Sequence, residues 1–307
     1  MCGIVGYIGD RDVASILLVG LERLSYRGYD SSGIAIMSDG ELSCWKKEGK
    51  IHNLEQAIKP LNIQGSIGIG HTRWATHGAA TEANAHPQVC SMNKTAIVHN
   101  GIIENYSSIK KKLTEEGHIL RSQTDTEVIV HLIDRYLNGN LEDAVEKATH
   151  DLSGSFAIAV TSEKDPDKIV ICRKGSPLII GVGKNENFIS SDIQAIVSHT
   201  KQVIYLEDDE IGIISKDAID IRKMGGVKVT KDIHHITWDA EATEKAGYDH
   251  FMLKEINEQP AVIRRITSEH INKNNEVVFP GLKNSNIAKA NRFIIQACGT
   301  SWHAGLI

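Results

Sequence analysis

The residue in this sequence with the greatest capacity for catalytic chemistry is Cys2, which directly follows Met1. If Met1 is removed, Cys2 carries both a thiol and a free α-amine. The thiol is a strong nucleophile once ionised, and an α-amine with a pKa of about 8 can accept a proton at physiological pH. One residue would then supply the nucleophile and the base of an acyl-transfer reaction. The alternative is that Cys2 is a small buried apolar residue, which is the commonest fate of a free cysteine.

Asn100 and Gly101 follow a predicted strand at Thr95–Val98 and form a second candidate for chemistry. An Asn-Gly pair is the strongest short signal for a tight hairpin turn. The same pair suits an oxyanion hole, because the carboxamide and the glycine N–H can direct two donors at one oxygen. One such donor contributes roughly 10²–10³ in rate. The helical pattern that follows Gly101 makes the hairpin less favourable, and both interpretations stay open at this point.

Arg73 and Asp125 have the charges needed to hold the two ends of an amino acid. Arg73 ends a predicted strand, and its planar guanidinium suits a carboxylate, although an isolated arginine is usually a surface residue. Asp125 opens a predicted helix and is a candidate counter-ion for an ammonium group. A favourable interaction with the helix dipole would explain Asp125 equally well. Arg27, in a glycine-flanked turn, is expected to shield the N-terminal site or to order a loop over it.

The histidines near Arg73 do not indicate a metal centre. His71 and His77 lack the i,i+4 spacing of a zinc-binding helix, and no acidic or thiol ligand accompanies them. We therefore predict no metal and no cofactor, and we interpret His86 and His99 as structural, hydrogen-bonded histidines. A nucleophile, an oxyanion hole and a clamp for a zwitterion are together what the hydrolysis of glutamine requires.

The composition restricts the class of protein. The 307 residues are 41% hydrophobic and 24% charged, with a net charge of −5. These values are typical of a globular protein and argue against a nucleic-acid binder, because no basic face is concentrated anywhere. The longest apolar runs fall short of the roughly 18 residues of a membrane span, so no membrane association is expected. The five cysteines lack C-x-x-C spacing and fit neither a disulfide framework nor a zinc site, which favours a cytoplasmic location.

Hydrophobic periodicity predicts an α+β fold with layered antiparallel sheets. Strands alternate with helices in the first part, and strands cluster from residue 154 onward. The polar, aperiodic residues 75–93 are predicted to form a long loop. The spacing of apolar residues predicts helices at 104–116, 125–137 and 141–150. It predicts strands at 155–162, 168–173, 178–182, 188–190, 202–206 and 210–215, with a short helix at 192–198.

The character of the sequence changes after residue 240. Residues 239–249 are typical of a linker, and 250–270 are predicted to be helical with a bend or interruption at Pro260. Arg292–Ala297 is predicted to be a strand that runs into a hydroxyl-rich turn. This pattern is typical of an α/β unit that binds phosphate at the next helix N-terminus. Because the chain ends at residue 307, we expect this second domain to be incomplete.

Several long motifs resemble those of the glucosamine-6-phosphate synthases, also called glutamine–fructose-6-phosphate amidotransferases. The resemblance covers the whole chain. The motifs that carry it are Cys2-Gly3-Ile4-Val5-Gly6, Arg27-Gly28-Tyr29-Asp30-Ser31-Ser32-Gly33, His71-Thr72-Arg73-Trp74-Ala75-Thr76-His77-Gly78, Asn84-Ala85-His86-Pro87, His99-Asn100-Gly101-Ile102-Ile103-Glu104-Asn105, Thr124-Asp125-Thr126-Glu127, Met252-Leu253-Lys254-Glu255-Ile256-Asn257-Glu258-Gln259-Pro260 and Cys298-Gly299-Thr300-Ser301.

The resemblance implies an N-terminal nucleophile hydrolase fold, a four-layer αββα sandwich, for residues 2–240. A linker and an incomplete α/β sugar-isomerase domain would follow at 241–307. The family's motifs imply the following roles: Cys2 as nucleophile with its α-amine as base, Asn100 and Gly101 as the oxyanion hole, Arg73 for the glutamine carboxylate, Asp125 for its α-amino group, and Trp74, Thr76 and His77 as pocket residues, with Trp74 also controlling the passage of ammonia.

In the family, ammonia travels to a second part of the protein and reacts with fructose 6-phosphate to give glucosamine 6-phosphate. That part is nearly absent here, and Thr300 and Ser301 correspond only to the start of its phosphate-binding set. We therefore predict that this chain hydrolyses L-glutamine but does not form the amino sugar. The full-length family is expected to be homodimeric through contacts that lie mainly in the missing part, so the oligomeric state of this chain stays open.

Two other classes of function compete with this interpretation. Other amidotransferases with an N-terminal cysteine, such as the phosphoribosyl-pyrophosphate and asparagine-synthesising families, are disfavoured by the Arg73–His77 and 252–260 stretches. A non-catalytic glutamine-binding or scaffold module is the second alternative. Covalent trapping of Cys2 by an electrophilic glutamine analogue would distinguish the enzyme from the scaffold.

Overall fold

The computed structural model describes residues 2–90, 94–237, 247–272, 274, 276–278, 291–297 and 299–307. The chain divides into two compact units, Met1–Thr243 and Glu244–Ile307. Among the helices in these described ranges, none is both long and apolar enough to cross a membrane.

Two antiparallel sheets form the middle of the first unit. Their strands in chain order are β1 (Gly3–Ile8), β2 (Ser31–Ser38), β3 (Glu41–Glu48), β4 (Ile67–Arg73), β5 (Gln88–Cys90), β6 (Thr95–Ile103), β7 (Gly154–Ser162), β8 (Asp165–Lys174), β9 (Ile179–Val182), β10 (Asn187–Ser190), β11 (Gln202–Tyr205), β12 (Glu210–Ile214), β13 (Ile219–Lys223) and β14 (His234–His235). Within the described residues, one sheet has eight strands in the order β14-β11-β9-β10-β1-β4-β2-β3. The other has six in the order β13-β12-β8-β7-β6-β5, and the pairings between these strands are antiparallel.

Helices cover the outer face of each sheet. The helices of the first unit are α1 (Val13–Arg23), α2 (Ile51–Ile58), α3 (Tyr106–Glu115), α4 (Thr126–Tyr136) and α5 (Leu141–His150). One hydrophobic cluster joins α1 and α2 to the eight-stranded sheet, and a second joins α3, α4 and α5 to the six-stranded sheet. A third cluster fills the space between the sheets. These three cores separate four layers, so the predicted αββα sandwich is confirmed.

Strand alternation places two polar residues at the end of the inter-sheet core. On β4, Ile67 and Ile69 face the other sheet, and His71 continues the same face two residues later because side chains alternate along a strand. On β6, Ala96 and Val98 face the eight-stranded sheet, and Asn100 continues that face. A polar site can therefore form across the two sheets where their apolar packing stops.

The structure corrects several predictions for the first unit. The stretch 75–93, predicted to be a loop, contains β5, and the short helix predicted at 192–198 is a 3₁₀ turn at Ile193–Ala195. Strand β6 runs on through Asn100 and Gly101 to Ile103. The sequence analysis missed β3, which is a sheet-edge strand of half-exposed and exposed residues. Its charged residues conceal strand periodicity, because propensity is weak where a strand is only partly buried.

The second unit also differs from its prediction. Helix α6 (Phe251–His270) runs through Pro260 without interruption. A proline removes one backbone hydrogen bond, and the helix-forming residues on both sides keep the helix continuous. The predicted strand at Arg292–Ala297 is wrong, because these residues have no strand partner within the described ranges and take no regular structure. Helix α7 (Gly299–Leu306) follows and has Thr300 and Ser301 in its first turn.

A buried ion pair holds the segment that precedes α4. The Glu127 carboxylate accepts hydrogen bonds from the backbone N–H groups of Arg121 at 2.6 Å and Ser122 at 2.5 Å, and it lies 3.9 Å from His131 Nε2. Burial alone would raise the pKa of Glu127, yet these partners lower it to about 2. Burial would likewise lower the pKa of His131, yet its contacts with Cys90 and Glu127 raise that pKa to about 9. Both groups are therefore charged at neutral pH.

We expect His131→Gln to lower the free energy of unfolding by about 1–3 kcal/mol at pH 7, because Glu127 loses its buried cationic partner. The pKa of His131 is raised from 6.5 to about 9 in the folded state. Its stabilisation is therefore fully present below about pH 6.5 and is lost as pH rises through 9. Urea denaturation at pH 7 and pH 9.5 should show the difference from wild type shrinking at the higher pH.

A matched control exists on α5, where His150 and Glu146 have the same i,i+4 spacing at 4.0 Å but His150 is exposed. His150→Gln should change stability by less than about 0.5 kcal/mol at both pH values, because exposed ion pairs contribute little. An effect of His131→Gln that is equal at pH 7 and pH 9.5 would contradict the assignment of a charged His131.

Candidate active site

Cys2 lies beside the end of β4. Strand β1 pairs with β4 so that Gly3 is opposite Thr72, which brings Cys2 next to the residues that follow β4. The backbone N–H of Trp74 donates to Cys2 Sγ at 3.3 Å. Burial raises the pKa of the Cys2 thiol, and the contacts with Trp74 and the charge of Arg73 offset only part of this effect. The thiol is therefore mostly protonated at neutral pH and needs a base for activation.

Asn100 and Gly101 lie within β6, so the hairpin interpretation is wrong. The Asn100 carboxamide donates from Nδ2 to the carbonyl oxygen of Cys2 at 3.3 Å. Gly101 has a φ of +137°, and a Cβ at this position would collide with the carbonyl oxygen of Ser155. A residue with a side chain is therefore excluded here. The two residues thus place a carboxamide donor and a backbone conformation that requires glycine beside Cys2.

Arg73 is buried, with only 3% of its surface exposed, so the surface-arginine interpretation is wrong. Its guanidinium donates to the carbonyl oxygens of Ala79 at 3.1 Å and Gly78 at 3.3 Å, and to that of His77. Burial lowers the pKa of Arg73, and nearby Asp30 opposes that shift. The guanidinium therefore carries a buried positive charge and holds the loop that follows β4.

Asp125 precedes α4 and is 5% exposed. Its carboxylate makes no helix-capping hydrogen bond. Instead, Oδ2 accepts a hydrogen bond from the backbone N–H of Ile103 at 2.9 Å. A capping role therefore does not explain Asp125, whose charge is directed toward the end of β6.

A small cavity joins these residues. Its volume is about 20 Å³, which is enough for about one water molecule. A larger cavity of about 470 Å³ lies between α1 and α2, and none of the predicted site residues lines it. The small cavity is lined by Cys2, Arg73, Trp74, Thr76, His77, His86, His99, Gly101, Thr124, Asp125 and Thr126. The structure thus brings the predicted nucleophile, both predicted clamp residues and the three predicted pocket residues to one place.

Trp74 forms the outer wall of this small cavity. It is 48% exposed, and its ring contacts that of Tyr29 edge to face, with the centroids 5.9 Å apart.

Asn100 contacts Cys2 but does not line the cavity, and Arg27, Thr300 and Ser301 also lie outside the cavity lining. Arg27 donates from Nη2 to Asp192 Oδ2 at 2.5 Å and from Nε to the Tyr26 hydroxyl at 3.0 Å. This half-buried ion pair holds the turn at Ser25–Arg27, and the expected role of Arg27 in shielding the site or ordering a loop over it stays a prediction. Thr300 and Ser301 belong to the second unit and are exposed at the start of α7.

The sequence analysis missed Asp30, Thr124 and Thr126. Asp30 accepts a hydrogen bond from the backbone N–H of Ala75, and its own N–H donates to the carbonyl oxygen of Arg73 at 3.1 Å. It therefore fixes the start of the loop that Arg73 holds. The polar turn at Arg27–Gly33 signalled an important segment, but it did not show which residue makes the contact.

Thr126 joins the two histidines that we predicted to be structural. Its hydroxyl lies 2.7 Å from His86 Nε2 and 2.9 Å from His99 Nδ1. Both histidines are hydrogen-bonded, as predicted, and both also line the cavity. A threonine in the first turn of a helix gives no sequence signal for such a bridge.

The sequence is similar to a known domain family and to curated proteins. The profile of the glutamine amidotransferase domain matches residues 57–248. Glutamine–fructose-6-phosphate aminotransferase (isomerizing) of Caldanaerobacter subterraneus is 46% identical over 309 residues, which cover 100% of this chain and 51% of the relative. The protein of the same name from Pyrococcus horikoshii is 47% identical over 311 residues with the same coverage. The chain therefore spans about half the length of the curated relatives it matches.

Solved structures share the fold. Glutamine phosphoribosylpyrophosphate amidotransferase of B. subtilis, complexed with ADP and GMP, matches 73% of this chain and 49% of its own with a TM-score of 0.63 and 28% identity. A class-II glutamine aminotransferase domain protein of Silicibacter pomeroyi matches 73% of this chain and 99% of its own with a TM-score of 0.50 and 12% identity, which supports the fold alone. By its profile match and its αββα architecture, the chain belongs to the glutamine amidotransferase domain family, with the N-terminal nucleophile hydrolase fold.

Proposed function

We propose that this chain hydrolyses L-glutamine to glutamate and ammonia through a γ-glutamyl thioester on Cys2. The observation that carries the proposal is the convergence of Cys2, Arg73 and Asp125 on one cavity. A nucleophile between a buried cation and a buried carboxylate fits a substrate that has both a carboxylate and an ammonium group. The site thus suits an amino acid better than it suits any other small amide.

The reaction follows from the position of each group. The Cys2 sulfur attacks the side-chain carbonyl of glutamine, and the oxyanion accepts hydrogen bonds from Asn100 Nδ2 and the Gly101 N–H. The α-amine of Cys2 takes the thiol proton and passes it to the amide nitrogen, which leaves as ammonia as the C–N bond breaks. Water then hydrolyses the thioester to glutamate and restores the thiol. Because burial raises the pKa of the thiol, a base is required. After removal of Met1, the α-amine of Cys2 is that base.

Substrate binding requires the loop after β4 to move. A cavity of about 20 Å³ is far too small for glutamine. The guanidinium of Arg73 also donates hydrogen bonds to the carbonyl oxygens of that loop. The substrate carboxylate would replace some of those carbonyl contacts with a charge-assisted pair, which is the stronger interaction. The substrate ammonium would then pair with Asp125, while Trp74, Thr76 and His77 close over it.

In the longer protein, we propose that ammonia passes Trp74 and reaches a sugar-isomerase part that converts fructose 6-phosphate to glucosamine 6-phosphate. Residues 241–307 would begin that part, and Thr300 and Ser301 would belong to its phosphate site. Homodimerisation would belong to that longer protein. The described cysteines are free thiols, which favours the cytoplasm. The present chain alone should hydrolyse glutamine without forming the amino sugar.

Cys2→Ala should abolish glutamine hydrolysis, because no other group on the cavity can form the thioester. Ammonia release from L-glutamine and covalent labelling by an electrophilic glutamine analogue measure this. Cys44→Ser is the matched control: Cys44 is a free thiol outside the cavity, and burial raises its pKa to about 11. Turnover retained by Cys2→Ala, or labelling of Cys44 instead of Cys2, would contradict the proposal.

Asp125→Asn should raise the KM for glutamine by about 10- to 100-fold, because a charged hydrogen bond to the substrate ammonium contributes about 1.5–3 kcal/mol. The asparagine oxygen can still accept from the Ile103 N–H, so the backbone contact is retained. Asp143→Asn, on the exposed face of α5, is the control and should leave KM unchanged. A KM that is the same in Asp125→Asn and wild type would refute a counter-ion role.

A further inference from the structure

We propose that His71 is a positioning residue that fixes which end of the Asn100 carboxamide faces Cys2. The inference rests on the proposed glutamine hydrolysis. A carboxamide stabilises an oxyanion only if its nitrogen points at the reacting carbonyl, since its oxygen would repel the developing charge. The two ends of the group are nearly equal in size, so shape alone does not select the productive orientation.

The hydrogen-bond partners of His71 determine this orientation. His71 Nε2 lies 2.9 Å from the carbonyl oxygen of His99. A carbonyl oxygen can only accept, so Nε2 must carry the hydrogen. The same nitrogen lies 3.0 Å from the Asn100 carboxamide, so the atom that faces it must be the oxygen Oδ1. The Asn100 nitrogen is thereby directed to the other side, where it lies 3.3 Å from the carbonyl oxygen of Cys2.

His71 is held as a neutral, immobile donor. It is fully buried, and its Nδ1 has no hydrogen-bond partner in the described part of the chain. Burial lowers its pKa to about 3, so the ring stays neutral. Its ring packs on that of His86 with the centroids 4.3 Å apart, and His86 is bonded to Thr126 next to Asp125. The ring therefore cannot rotate to offer Asn100 an acceptor.

The His71–Asn100 hydrogen bond also joins the two sheets. His71 lies on β4 of the eight-stranded sheet, the sheet whose strand β1 directly follows Cys2. Asn100 lies on β6 of the six-stranded sheet. The bond therefore fixes the oxyanion donor relative to the nucleophile across the interface of the two layers. Without the His71 donor, the Asn100 carboxamide can rotate so that its oxygen and nitrogen exchange places. The carbonyl oxygen of His99 also loses its hydrogen-bond donor.

The test is a double-mutant cycle on glutamine hydrolysis. His71→Met removes the donor at similar length, and it should lower kcat by about 30- to 300-fold while KM changes less than about threefold. His71→Gln keeps an N–H at the position of Nε2 and should retain kcat within about tenfold. In an Asn100→Ala background, His71→Met should cause no further loss of kcat, because His71 acts only through Asn100.

A second measurement needs no variant. The ¹⁵N chemical shifts of the His71 ring in the wild-type chain should show a hydrogen on Nε2 and none on Nδ1. A hydrogen on Nδ1 would overturn the positioning role of His71. A further loss of kcat from His71→Met in the Asn100→Ala background, as large as the loss in the wild-type background, would overturn it as well. Normal turnover by the wild-type chain would leave the proposed function intact in either case. A wild-type chain with Met1 removed and no glutamine hydrolysis would overturn both proposals.

Discussion

The packing of one sheet face against the other is the constraint on which the site depends. The proposed nucleophile, Cys2, directly precedes the first strand of the eight-stranded sheet, and the proposed oxyanion residues lie on β6 of the six-stranded sheet. The apolar layer between them, built from residues such as Ile69 and Val98, sets the spacing of the sheets. Where that layer ends, His71 and Asn100 continue it as a hydrogen-bonded pair. The apolar core and the proposed catalytic geometry therefore depend on the same packing of the two sheets.

Burial decides the protonation states at this interface. It lowers the pKa of His71 to about 3 and raises the pKa of the Cys2 thiol. Burial also lowers the pKa values of His86 and His99, so these two histidines and His71 are neutral hydrogen-bonding groups and poor candidates for the general base. The charges of Arg73 and Asp125 stay available for a zwitterionic substrate. In the proposed mechanism, the α-amine of Cys2 takes up the thiol proton, so that mechanism requires the removal of Met1.

Local sequence patterns predicted layered antiparallel sheets and the candidates Cys2, Arg73 and Asp125. The four-layer order and the pocket residues Trp74, Thr76 and His77 were implied by the family resemblance. Helices α3, α4 and α5 follow clear apolar periodicity, and Cys2, Arg73 and Asp125 have the charges and reactivity that the chemistry needs. Edge elements such as β3 were missed because their exposed residues lack an apolar period. The hydrogen bonds of His71 join it to residues 28 and 29 positions later on another strand, and no local pattern reports such a contact. The strand prediction for Arg292–Ala297 was wrong for a related reason, because an apolar run forms a strand only when a partner strand is present.

The most direct test of the account is the mass of the N-terminal peptide during turnover. The chain would be mixed with L-glutamine, quenched rapidly in acid and digested, and the peptide that contains Cys2 would be measured. The account predicts a peptide that begins at Cys2 and carries one glutamyl group as a thioester, which hydroxylamine releases. Sustained release of ammonia from a chain that retains Met1, with no glutamyl group on Cys2, would contradict it.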